Sequence, residues 1–186
     1  MILTGSAITE ANAAGRIRIT PFANGRVNPN SYNLRLGPAL LTYRTRVLDP
    51  YRQNPTRRRE IGERGFVLRP GRLYLGHTIE ECGSDHYVPL LFGRSSVGRL
   101  GLFVEITAPI GDLGYHGQWT LMLHSIRPLR VYTGMTIAQV MFFATLGQAR
   151  LYAGKYQGST GPQASRYWID RLPAPRAAGD AAEVSR

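Results

Sequence analysis

An all-β fold is predicted, a barrel or jelly roll of short strands behind one N-terminal helix, and three features of the sequence carry that prediction. The 186 residues include 21 glycines and 12 prolines, scattered between β-branched or aromatic runs rather than gathered into linkers. Eight such runs follow one another, and closing them on themselves would remove exposed strand edges. A composition of 43% hydrophobic and 19% charged residues fits a soluble globular chain, and the length fits a single core.

In chain order, Thr4 or Ser6 is placed to cap a short helix that runs to Ala14 and ends at Gly15, with Glu10 in its early turns. Strands are then predicted over residues 31–43, 65–69, 72–78, 88–92, 102–107, 118–125, 129–132 and 136–146. Pro70-Gly71 reads as a tight hairpin turn between two of them. Residues 95–100 suit one helical turn beside a loop. The apolar run Val140-Met141-Phe142-Phe143 lacks polar alternation, so both its faces are expected to be covered, one of them by another subunit. Residues 1–171 form the expected domain. From Leu172 the chain is rich in Ala and Pro with alternating charges and is expected to be a mobile tail, residues 172–186.

No apolar run approaches the roughly 18–20 residues that span a bilayer, so no membrane partner is expected. The N-terminus shows no basic region followed by an apolar stretch, and a cytoplasmic location is expected. One cysteine, Cys82, excludes both an internal disulfide and a cysteine-rich zinc site. The formal charge is +11, yet 22 of the 23 basic residues are arginine and only Lys155 is lysine. That skew weakens net charge as a functional signal and leaves two readings open: polyanion binding, or a solvated basic surface with a few phosphate contacts. The densest cluster, Arg57-Arg58-Arg59, lies in a polar stretch whose one aromatic, Tyr51, stands at its edge. It reads as a solvated loop, with nucleic acid the weaker alternative.

Five segments carry a more specific signal. They are Asn30-Ser31-Tyr32-Asn33-Leu34-Arg35-Leu36-Gly37; Gly93-Arg94-Ser95-Ser96-Val97-Gly98-Arg99-Leu100-Gly101-Leu102; Thr107-Ala108-Pro109-Ile110-Gly111-Asp112-Leu113-Gly114-Tyr115-His116-Gly117; Gly134-Met135-Thr136-Ile137-Ala138-Gln139-Val140; and Gly154-Lys155-Tyr156-Gln157-Gly158-Ser159-Thr160-Gly161-Pro162, followed by Ser165-Arg166. In this order they resemble the five signature motifs of the dCTP deaminase and dUTP diphosphatase superfamily. The likeness extends to the N-terminal helix and Gly15-Arg16-Ile17. It implies a distorted jelly-roll β-barrel of the β-clip type, assembled as a homotrimer with active sites between subunits.

Each motif also has a direct physical reading. Arg94, Ser95, Ser96 and Arg99 put two guanidinium forks and two hydroxyls within six residues, able to surround phosphate oxygens on one tight turn. The alternative is a capped turn with surface arginines. Asp112 and Tyr115 lie in a loop bracketed by Gly111 and Gly117, which would let a ligand approach the backbone closely. Otherwise Asp112 closes an Asx-turn and Tyr115 is a barrel aromatic. Gly158-Ser159-Thr160-Gly161 sets two hydroxyls between glycines, with Lys155 a point charge ahead of them, or is simply a loose loop. The resemblance implies that Arg94, Ser95 and Ser96 contact the phosphates while Arg99 supports them. It further implies that Gln139, Lys155, Ser159 and Thr160 help bind the nucleotide. Asp112 would meet the 3′-hydroxyl and activate water, with Tyr115 excluding a 2′-hydroxyl. The C-terminal arm would close over the ligand.

Departures from the pattern matter as much. The deaminases' proton-shuttling glutamate corresponds to Met122, which cannot move a proton. Glu105 stands where those enzymes often carry histidine, and reads either as a displaced acid/base or as a salt-bridged barrel residue. Ser159 replaces a glutamine, and with Tyr115 this follows the diphosphatase form. Asn33 replaces a common aspartate. His77, His86, His116 and His124 lack metal-ligand spacing, and no zinc site is expected. The expectation is therefore a trimeric pyrimidine deoxynucleoside triphosphate hydrolase of dUTP diphosphatase type, releasing pyrophosphate, with Mg²⁺ bound through the triphosphate and no direct side-chain ligand. Two alternatives are dCTP deamination through a non-standard acid/base and a catalytically silent regulatory trimer.

Overall fold

The structure, a computed structural model, describes residues 1–170. The tail expected over residues 172–186 lies outside the described residues.

Helix α1 (Gly5–Ala13) begins where Thr4 caps it: the Thr4 Oγ1 accepts from the Ala7 N–H at 3.4 Å. Its buried face is Ile8 and Ala11, and the Asn12 side chain accepts from the Ile19 amide, tying the helix to β1 (Arg18–Thr20). The remaining strands are β2 (Tyr32–Arg35), β3 (Ala39–Tyr43), β4 (Thr56–Glu60), β5 (Phe66–Leu68), β6 (Tyr74–Gly83), β7 (Tyr87–Gly93), β8 (Leu102–Phe103), β9 (His116–Ser125), β10 (Leu129–Val131) and β11 (Thr136–Ala144). A single helical turn, α2 (Ser95–Gly98), links β7 to β8.

All pairings are antiparallel. One sheet runs β4-β3-β6-β9-β8 with β1 also on β6; a second runs β2-β11-β7; β5 and β10 form a third pair. Short antiparallel strands in stacked sheets make the expected jelly roll. Ile137, Val140 and Phe142 of the central strand β11 are fully buried, together with Tyr32, Leu34, Leu121 and Leu123 from neighbouring strands. That shared apolar layer holds the sheets together.

Several elements differ from the sequence prediction. Residues 31–43 break into β2 and β3, because the chain turns at Gly37-Pro38 and proline supplies no ladder donor. Pro70-Gly71 does not close a hairpin: β5 pairs with β10, and β6 pairs with β1, β3 and β9. The stretch read as a solvated loop contains strand β4, Thr-Arg-Arg-Arg-Glu, paired residue for residue with β3. Its side chains bury little, so the hydrophobic pattern that marks a strand is missing, and the backbone ladder alone holds it at the sheet edge.

A bulge shapes the middle of β6. Register with β9 shifts between His77 and Glu81. The opened backbone is satisfied by side chains: the Thr78 hydroxyl accepts from the Trp119 amide at 2.9 Å, and Gln118 donates its amide to the Ile79 carbonyl at 3.0 Å. The distortion turns Glu80 wholly inward, where it pairs with the Arg35 guanidinium at 2.6 Å and accepts from the Arg35 amide at 2.8 Å.

Candidate nucleotide site

A cavity of about 520 Å³ opens between β9, the loop leading into it and the C-terminal arm. Strand β9 contributes Trp119, Thr120 and Met122; the loop contributes Glu105, Ala108, Ile110, Asp112 and Tyr115. Leu73 and Leu75 form part of the wall, with Tyr43 and Leu48 nearby. The arm supplies Tyr152, Tyr156, Ser159, Gln163 and Ser165. Among the described residues no lysine or arginine lines it.

The arm is held by a ladder of hydrogen bonds along β9. Gln118 N–H donates to Ser159 O at 2.8 Å, Gly161 N–H to the Gln118 side-chain oxygen at 2.6 Å, and Gln163 N–H to the Thr120 hydroxyl at 3.0 Å. Ser165 N–H reaches the Tyr43 hydroxyl at 3.0 Å. Gly117 is required by this approach: a Cβ there would lie 2.8 Å from Ser159 N. A Cβ at Gly111 would collide with the Trp119 ring. The room made by these two glycines is thus filled by the protein itself, not left for a ligand's approach to the backbone.

Tyr115 stands edge-on to Trp119 and Tyr152, with centroids 5.6 and 6.0 Å away. Its hydroxyl donates to Gln118 O at 2.8 Å, and burial pushes its pKa up to about 12, so it stays a neutral platform. Asp112 is exposed on the cavity wall. Glu105 is turned back on its own loop, where Oε1 accepts from the Thr107 and Ala108 amides at 3.2 and 2.9 Å. This turn explains why the strand expected through residue 107 stops at Phe103. Trp119, Gln118 and Gln163 were not legible from composition or spacing as site residues, since their parts depend on strand register.

The protomer brings Asp112, Tyr115 and Ser159 together with Glu105 and Met122. Ser159 Oγ donates inward to Tyr156 O at 2.6 Å. Thr160 is exposed beside them, its carbonyl accepting from Gln163. Lys155 is not on the wall: its ammonium pairs with both Asp170 oxygens at 2.5 Å and lies 5.8 Å from the Tyr156 ring centre. The second group stands apart. Arg94 precedes α2, Ser95 and Ser96 open it, Arg99 ends it, and none of the four lines the cavity. Gln139 lies close to this group on β11, donating to Gly93 O at 3.2 Å and accepting from Ser31 at 3.0 Å. Its cross-strand neighbour Asn33 is buried in β2 and donates to Asn28.

A family model described as dCTP deaminase-like matches residues 2–145. The chain belongs to that family. Its curated relatives include proteins named "dCTP deaminase, dUMP-forming". That of Hathewaya histolytica is 46% identical over 172 residues, spanning 91% of this chain and 99% of the relative. That of Leptospira biflexa is 47% identical over 171 residues, spanning 91% and 98%. Among solved structures, the 2′-deoxycytidine 5′-triphosphate deaminase of Agrobacterium tumefaciens superposes with a TM-score of 0.62 at 22% identity. That match covers 77% of this chain and 48% of the other, so the chain spans about half the solved protein's length. The fold agrees with the dCTP deaminase-like family, and this member carries Met122 on the wall of its cavity. No helix among the described residues is long and apolar enough to cross a membrane.

Proposed function

We infer that this chain hydrolyses a pyrimidine deoxynucleoside triphosphate to the monophosphate and pyrophosphate, acting as a homotrimer. The observation that carries the reading is the cavity wall itself, which presents Asp112 and Tyr115 beneath a docked arm but has methionine at position 122. The sugar rests against Tyr115 and the pyrimidine against the β9 wall, leaving the α-phosphate near Asp112. Asp112 takes a proton from water as the water oxygen bonds to the α-phosphorus, and the bond to the bridging oxygen breaks with pyrophosphate as leaving group.

The absence of a cation from the described lining of the cavity supports a divided site, because a triphosphate needs positive charge that this lining does not hold. Arg94, Ser95, Ser96 and Arg99 of a neighbouring copy then stabilise the charge on the phosphates. Leu100, Phe103, Ile106, Ile110 and Ile126 are exposed apolar side chains on or near the α2–β8 region and the cavity loop, as a face covered by a second copy would require. Mg²⁺ suits such a substrate: among the described residues no three His, Cys, Asp or Glu side chains gather to hold a metal. A bound Mg²⁺ would be held through the triphosphate, with Asp112 the cavity carboxylate placed to orient it, and would supply neutralisation of phosphate charge.

A second reading has a specific observation behind it. Glu105 shares the cavity with Met122, and conversion of dCTP to dUMP, as the relatives' name describes, needs loss of an amine as well as pyrophosphate. In that reading Glu105 leaves its backbone donors and shuttles the proton. Turnover of dUTP and dCTP with Mg²⁺, reading pyrophosphate and ammonia separately, decides. Pyrophosphate from dUTP without ammonia from dCTP is expected. Ammonia that disappears in Glu105→Gln favours the second reading, and saturable binding with neither product refutes both in favour of a silent trimer.

A further inference from the structure

A second cleft, about 840 Å³, adjoins the nucleotide cavity and shares Tyr43, Leu48 and Leu73 with it. Its walls carry five arginines: Arg44, Arg46, Arg57, Arg59 and Arg72. They come from three separate places, the end of β3 and the following loop, strand β4, and the turn before β6. Strand geometry selects among the consecutive arginines. Arg57 and Arg59, two apart on β4, face the cleft beside Thr42, while Arg58 faces away and pairs with Glu60 at 2.6 Å. Among the described residues no carboxylate lines the cleft, and none of its five arginines belongs to an ion pair.

We propose that this cleft is a second oligophosphate site, taking two or three linked phosphates separately from the α2 turn. Charge on an edge strand guards against edge-to-edge pairing, but that duty asks only for scattered charges on β4 itself. It does not gather guanidiniums from two further segments around one hollow. Arginines gathered around one hollow without an acid among the described lining repel one another, and a multiply charged anion relieves that repulsion while accepting several forked hydrogen bonds. The occupant is short rather than a nucleic acid strand, because Tyr43 is the one aromatic on the walls and offers no succession of stacking platforms. Continuity with the cavity points to the released pyrophosphate or to the triphosphate tail of a second nucleotide. Only this choice of source rests on the proposed hydrolysis; the cleft's affinity for oligophosphate does not.

Calorimetric titration of inorganic tripolyphosphate into the full chain tests it. Arg57→Ala combined with Arg72→Ala removes two exposed side chains from different segments, and its unfolding curve checks that the fold survives. The cleft variant should weaken tripolyphosphate binding at least tenfold, while Arg94→Ala leaves that component in place. Displacement by pyrophosphate alone assigns the cleft to the product, and displacement also by a non-hydrolysable dUTP analogue assigns it to a triphosphate tail. Unchanged binding in the cleft variant, or equal weakening by Arg94→Ala, overturns the proposal. So does duplex DNA binding lost in the cleft variant while tripolyphosphate binding stays. Absence of turnover with the cleft component intact would count against the hydrolase reading alone.

Discussion

The cavity beside β9 is walled by aromatic and aliphatic side chains and bears Asp112 and Glu105 without a cation, whereas α2 gathers two arginines and two serines with no aromatic ring. The family resemblance implies one site for both, and the protomer keeps them apart. Under the proposed function a pyrimidine nucleoside would use the first environment and its triphosphate the second, so each region would be half of one site. If the proposed trimer joins them, motif order along the chain reports membership of a site but not which copy supplies each part.

The largest effect should come from the cavity half. Asp112→Asn keeps the shape of an exposed side chain and removes its basicity, so kcat should fall about 10²–10⁴-fold with little change in unfolding midpoint. Retained turnover would remove Asp112 from the reaction. The comparison itself is broken or sharpened by mixing. Arg94→Ala should also be nearly inactive; refolded together with Asp112→Asn, the mixture should regain roughly a quarter of the wild-type sites by random assortment of two subunit types. No recovery would mean that both residues serve one protomer.

The two halves are also joined mechanically. Arg35 belongs to β2, in the sheet that carries Gln139, and Glu80 to β6, which pairs with the cavity strand. Because Glu80 is fully buried, removing its charge leaves the guanidinium without a counter-ion. Arg35 keeps some solvent contact, so Glu80→Gln should cost about 3 kcal/mol, the low end for a broken buried pair. Denaturant unfolding checks this, and a loss below about 1 kcal/mol would reduce the pair to the value of a surface bridge.

Much of this division was legible in the residues themselves. Thr4 announced the helix, and alternating or continuous apolar runs marked most strands, because burial writes a period into sequence. Asp112, Tyr115 and Ser159 were recognisable as members of motifs. Strand β4 was hidden by its arginines, which bury too little to leave a pattern. The arginine cleft was hidden for a different reason: only the β3–β4 register sets Arg57 and Arg59 on the face shared with Arg44, Arg46 and Arg72. Gln118 looked like any polar strand residue, yet its side chain joins the β6 bulge to the arm. The partner of Lys155 lies 15 residues away in a turn with no repeating pattern, so its ion pair with Asp170 left no trace.

The smallest expected effect separates the halves by pH. His77 is buried behind β9, its Nδ1 contacting Thr78 O at 2.9 Å and the Gln118 side-chain oxygen at 3.1 Å. Both contacts are acceptors, so Nδ1 carries the proton in the neutral ring. Burial lowers the His77 pKa from its ordinary 6.5; the two hydrogen bonds oppose that shift, Arg58 adds to it and Glu60 opposes it. The unfolded chain therefore binds a proton at higher pH than the folded one. The stabilisation is complete above about pH 6.5 and declines as pH falls through that value toward the lowered one. The difference in urea midpoint between wild type and His77→Asn should shrink or reverse between pH 7.5 and 5. Since Gln118 also holds the Gly161 amide, the protection factor at Gly161, taken relative to the intrinsic exchange rate at each pH, should fall over the same range while those of the α2 amides hold steady. An equal loss of protection in both places would mean that the cavity half and the α2 half respond as one unit.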